Sequence, residues 1–133
     1  MPWYMYLIII LFAVAILVAG KLFKRKSGLN QEEFMRRWKD IQTLIGTPEG
    51  SKMAIIEADN LVDEALKQLR ISGKTMGERL VSARKMFTDN DAIWMAHKLR
   101  NKIVHESNTR VQPHQLKDAI IGFRKALKDL GAL

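Results

Sequence analysis

Cysteine is absent from the 133 residues, which excludes disulfides and thiolate metal sites and leaves the redox compartment unread. Histidine is nearly as scarce: three residues, with no helical spacing that would gather them around a metal ion. No segment alternates apolar and polar residues with period two over a useful length, and no internal repeat is visible. Aromatic residues do not interleave with basic ones, which argues against a base-stacking platform for single strands. Charge is missing altogether from residues 1–20: all 22 Lys and Arg and all 14 Asp and Glu lie after Gly20.

That uncharged stretch reads as a single transmembrane helix, residues 1–20. At 1.5 Å per residue, Trp3 to Ala19 and its flanks span about 26–28 Å, just enough for a hydrocarbon core. Trp3, Tyr4 and Tyr6 sit at one end, as an interfacial aromatic belt does. Lys21, Lys24, Arg25 and Lys26 follow at the other, in a basic juxtamembrane linker over residues 21–29. A cleaved signal peptide carries its positive charge before the apolar run, not after it. The positive-inside rule then predicts a single-pass protein of the cell (inner, cytoplasmic) membrane, N-terminus outside and the rest in the cytoplasm. The four cations also suit an anionic lipid surface, at about 1 kcal/mol each. Without them the remainder holds 18 basic against 14 acidic residues, which is compatible with RNA but does not specify it.

Residues 30–133 read as helix after helix. Asn30 is placed to cap a helix opening Gln31-Glu32-Glu33, with Phe34, Trp38, Ile41, Leu44 and Ile45 as its stripe and Gly46 as its end. Pro48 opens a second, with Ile55, Ile56, Ala58, Leu61, Val62, Ala65, Leu66 and Leu69 as a wide apolar face and Asp59, Asp63 and Glu64 expected in solvent. A third is expected over Lys74 to Phe87, a fourth over Asp91 to about Glu106, and a fifth over His114 to Leu130 with Gly131 as its cap. The fold class is all-α: one N-terminal transmembrane helix and a cytoplasmic bundle of four to five helices.

The fourth helix carries the chemistry. On a helical wheel Ala92, Met95, Ala96, Leu99 and Ile103 form the expected core stripe. Ile93, Trp94 and Val104 fall on a second face with His97, Arg100, Asn101 and His105, and a helix apolar on two sides is covered on two sides, by its own bundle or by a second copy. Arg presents a charged fork suited to phosphate, and His is the side chain that ordinarily titrates near neutral pH. Arg100 and His105 can also simply close a helix end, where cations meet the dipole favourably. Five residues apart, they stand about 140° around a regular helix, whereas Asn101 and His105 lie together.

The run Trp94-Met95-Ala96-His97-Lys98-Leu99-Arg100-Asn101-Lys102-Ile103-Val104-His105-Glu106, with Ala54 to Asp59 and Gly73 to Leu80 upstream, resembles the HEPN superfamily. These are small helical domains whose signature is Arg-Asn or Arg-polar with His four to six residues on. The resemblance covers roughly residues 30–133. It implies pairing of two copies around Ile93, Trp94 and Val104, so that both motifs share one cleft. It implies metal-independent, cofactor-free RNA cleavage, with His105 as general base or acid, Arg100 on the scissile phosphate and Asn101 orienting the phosphate or the histidine. His97 and Glu106 stand as candidates for a layer behind these three. The pattern departs from the family in two places. Many toxin members carry Tyr two residues after the His, where this chain has Ser107, and Glu106 beside the site repels phosphate. Cleavage is therefore one reading among three. The others are a non-catalytic, membrane-tethered dimer or scaffold, and a nucleotide sensor with Arg100 on a small phosphate ligand. A toxin would also need an antitoxin, and one chain names no such partner.

Overall fold

The computed structural model describes residues 2–23 and 28–133, with the side chains of residues 22 and 23 left aside. Lys24, Arg25 and Lys26 of the expected basic linker lie outside the described residues. Among the described residues six helices follow one another: α1 (Trp3–Phe23), α2 (Gln31–Thr43), α3 (Pro48–Gln68), α4 (Met76–Ser82), α5 (Asn90–His105) and α6 (Pro113–Asp129). Among the described residues there is no strand, only an isolated bridge between Ile45 and Thr47.

α1 is long and apolar enough to cross a membrane, and none of its span from Trp3 to Lys21 is covered by the rest of the chain. An aqueous protein does not leave such a surface bare.

α2, α3, α4 and α5 start where side-chain caps satisfy free backbone N–H groups. Asn30 accepts from Glu33 N at 3.2 Å, Thr47 from Gly50 N at 3.0 Å, Thr75 from Glu78 N at 3.2 Å and Asp89 from Ala92 N at 3.0 Å. Pro48 and Pro113 occupy first-turn positions, where a missing N–H costs nothing. α6 ends in a Schellman turn, with Gly131 at φ 79° and Ala132 N donating to Leu127 O at 2.8 Å.

α3 is the central helix, packed against α2, α4, α5 and α6, and α5 also lies along α6. Its Ala54, Ile55, Ala58, Leu61, Val62, Ala65 and Leu66 are fully buried, and Phe34 and Trp38 of α2 and Phe123 and Leu127 of α6 close over them. Truncating a residue such as Phe123 to Ala would cost about 3–5 kcal/mol. α5 and α6 approach so closely that a Cβ on Gly122 would stand 2.7 Å from Ala92 O, so any side chain there would push the two helices apart.

Several expectations are corrected. Leu44 and Ile45 lie beyond the end of α2 and are exposed. The helix expected over Lys74 to Phe87 is only seven residues long and dissolves into turns after Ser82. The buried side of α5 is rotated from the expected stripe: Ile93, Ala96 and His97 are buried, while Met95 is 53% exposed. Ile93, expected on a face open to a second copy, is thus covered by the chain's own bundle. Asp59, Asp63 and Glu64, expected in solvent, all have partners: Asp59 is buried, Asp63 pairs with Arg79, and Glu64 pairs with Arg37.

Candidate functional site

The period that builds the α3 core also inserts a carboxylate into it. Ile55, Asp59, Val62 and Leu66 follow at spacings of four, three and four residues, one line along the helix. The Asp59 side chain therefore points inward, toward the turn of α5 that carries His97 and Arg100. His97 Nδ1 lies 2.9 Å from Asp59 Oδ1, and Arg100 Nε lies 3.4 Å from Oδ2. Arg100 Nη1 donates to Asn101 Oδ1 at 3.0 Å, and Asn101 Nδ2 lies 3.4 Å from His97 Nε2.

The donors and acceptors of this cluster fix one another. Arginine only donates, so the Asn101 oxygen must face Arg100 and its NH₂ must face His97. The His97 Nε2 then accepts, which leaves the proton on Nδ1, donated to Asp59. The network is a directed chain, Arg100 to Asn101 to His97 to Asp59. Burial pushes the Asp59 carboxyl above the ordinary aspartate value, and the His97 and then the Arg100 side chains act against that shift without cancelling it. Arg100 Nε is buried and forms no hydrogen bond, being held at ion-pair distance only. No protein hydrogen bond reaches Arg100 Nη2 among the described residues, and the side chain is 28% exposed. Trp94 packs edge-on against His97 with ring centroids 6.0 Å apart, and its indole lies over Gly77 at the start of α4.

Arg100, Asn101 and His97 thus come together around Asp59. His105 does not join them. It is the last residue of α5, exposed, with no hydrogen bond or ion pair to the cluster. Glu106 caps α5 and lies in solvent, where its backbone oxygen accepts from Thr109 Oγ1 at 3.1 Å. Val104 is 50% exposed and Trp94 half-buried. His114 is exposed, and Lys21 lies exposed at the end of α1. Among the described residues no group of three or more His, Asp or Glu side chains is arranged to hold a metal ion.

A second ion pair, half-buried, lies one turn further along α3. Arg79 of α4 grips Asp63 with two bonds, Nε to Oδ1 at 2.7 Å and Nη2 to Oδ2 at 3.0 Å, and its Nη1 donates to Gly73 O at 2.8 Å. Gly73 has φ 151°, and a Cβ there would sit 2.7 Å from Arg79 N, so the loop closes over the arginine only with glycine. Burial acts to raise the Asp63 carboxyl, but the Arg79 hydrogen bonds and charge, with Lys67, outweigh it and hold the carboxyl below the ordinary value.

No family model, no curated protein and no solved structure matches this chain.

Proposed function

We propose that the chain is a membrane-anchored phosphodiester-binding protein of HEPN type that cleaves RNA without a metal ion. α1 spans the membrane, and Lys21 with its basic neighbours keeps the bundle in the cytoplasm and the N-terminus outside. One observation carries the reading: Asp59 holds Arg100 from its buried side, leaving the outer edge of the guanidinium partly exposed and unpaired beside Asn101. A bare surface arginine would lose side-chain entropy on binding an anion, whereas this one is already ordered.

In the proposed reaction Arg100 binds the scissile phosphate and offsets the charge that develops on it. His105 removes the proton of the ribose 2′-OH. The O2′–P bond forms as the P–O5′ bond breaks, and an imidazolium returns a proton to the leaving oxygen, giving a cyclic phosphate and a 5′-hydroxyl. Arg100 and His105 diverge by about 140° on the helix, so a second copy supplies the other half of the cleft. Asp59 and His97 are positioning residues that never touch substrate.

The test is RNA cleavage by the full chain in nanodiscs, in the presence of a chelator, beside His105→Ala and Arg100→Gln. Loss of cleavage in both variants with an unchanged fold supports the proposal. Equal background from all three chains contradicts it. In that event the half-buried Trp94 and the exposed Val104 on α5 favour a tethered dimerisation module instead.

A further inference from the structure

α2 and α6 both pack on α3 and border one surface groove. Gln31, at the start of α2, donates to Gly131 O, just beyond the end of α6, at 3.0 Å. Further along, Met35 and Lys39 of α2 face Arg124 and Lys128 of α6 across a groove of about 260 Å³ floored by Trp38. No Asp or Glu side chain lines it. The outer face of α6 continues the pattern: Lys117, Ile121, Arg124 and Lys128 follow at spacings of four, three and four, within about 60° of one another. Met35 and Ile121 are 39% and 42% exposed amid these cations. A cationic face studded with bare apolar side chains is the pattern of a surface that rests on an anionic bilayer.

The tether selects this partner. Only residues 24–30 separate α1 from α2, so the start of α2 lies within roughly 25–30 Å of the end of α1, less than the diameter of a 100-residue domain. The face begins at that end of the bundle, because the start of α2 and the end of α6 are joined there. Its residues all come from α2 and α6, none from α5, which holds the phosphodiester cluster.

We infer that the α2/α6 face, through Lys39, Lys117, Arg124 and Lys128 with Met35 and Ile121, docks the bundle onto an anionic lipid surface. The inference rests on α1 spanning the membrane, and not on any RNA chemistry.

The chain has no cysteine, so single labels are clean. Full chain carrying a fluorophore at Ile121→Cys, or at Val81→Cys on α4 as reference, is reconstituted into vesicles bearing a headgroup-region nitroxide lipid. Phosphatidylglycerol-containing vesicles should quench the Ile121 label several-fold more than the Val81 label. The excess should vanish in neutral phosphatidylcholine and at high salt, since exposed charges are screened. Each cation near the surface is worth about a factor of five, so Lys39→Gln, Arg124→Gln and Lys128→Gln together should lower the docked fraction ratio on the order of 100-fold, with an unchanged circular dichroism spectrum. Equal quenching at the two positions, or in neutral and anionic vesicles, overturns the inference. So does protection of the Ile121 label by added single-stranded RNA with no response to anionic lipid, which would make the face a nucleic-acid surface. Flotation separates the two claims: a chain that fails to float with its vesicles overturns the anchor and the docking together, while one that floats without quenching overturns the docking alone.

Discussion

Asp59 and Asp63 sit one turn apart on α3, on the same helix and each beside an arginine, yet they are built for different ends. Asp63 and Arg79 form a closed pair: both carboxylate oxygens are engaged, the third guanidinium contact goes to Gly73 O, and the carboxyl is held below its ordinary value. Asp59 is deeper, its carboxyl is pushed up by burial, and its arginine is held at one atom with the rest of the fork turned elsewhere. A closed pair joins two elements and has nothing left to give a ligand. An open one leaves donors unpaired, and unpaired donors on an ordered arginine are what an anion needs. The same residue type in the same helix thus serves α4 docking at one turn and the candidate site at the next.

The largest effect that sharpens this contrast is at the closed pair. Arg79 is 7% exposed, so Asp63→Ala strands a buried charge and should cost about 3–5 kcal/mol, read by thermal and denaturant unfolding in nanodiscs. Next comes Asp59→Ala, which orphans the His97 Nδ1 proton and should cost about 1–3 kcal/mol by the same measurement. Asp59→Asn keeps an acceptor for that proton and removes a charge whose burial is unfavourable, so its stability near neutral pH should stay within about 1 kcal/mol of the parent. Equal losses for Asp63→Ala and Asp59→Asn would break the contrast.

A smaller effect is its pH dependence. The lowered Asp63 carboxyl contributes stability that is full above about 3.8, the unfolded value, and is lost as pH falls through its folded value. The raised Asp59 carboxyl behaves oppositely. Its contribution is full below 3.8 and is lost as pH rises through the folded value, because the folded state there still holds a proton that the unfolded chain has released. Stability followed from acid upward should therefore fall less above 3.8 in Asp59→Asn than in the parent. In Asp63→Asn the acid-side loss should shrink instead. The smallest effect is at His105: exposed on the last turn of α5, its change to Ala should alter stability by less than about 0.5 kcal/mol, and the proposed reaction predicts loss of cleavage with it.

Much of the scaffold was legible in the sequence. The uncharged N-terminal run, the cap at Asn30, the first-turn Pro48 and the stripe Phe34, Trp38 and Ile41 all lie where the pattern puts them, because local propensity and burial agree there. The site was legible in part. Arg100 and Asn101 meet in one network, but the residue that organises them, Asp59, was expected in solvent with Asp63 and Glu64. The signal was present: Ile55, Asp59, Val62 and Leu66 keep strict helical spacing, so burial of Asp59 follows from the period and requires partners, which a sequence does not name. Arg79 and Gly73 were unreadable for a related reason, since their contact is made by a loop closing over α4 and leaves no period. Ile93 and Met95 exchanged roles because the side of α5 that α3 and α6 cover is rotated from the stripe that the apolar residues mark.

The most direct test of the open pair is RNA cleavage by the full chain carrying Asp59→Asn, with binding and turnover measured separately at matched folded fraction. A positioning role predicts RNA affinity equal to or tighter than the parent's, since a negative charge is gone from behind Arg100. It predicts a cleavage rate at least about tenfold lower, since the guanidinium is no longer held in place. Parental cleavage with parental affinity would contradict the account, because Asp59 would then be nothing more than a buried acid of the core.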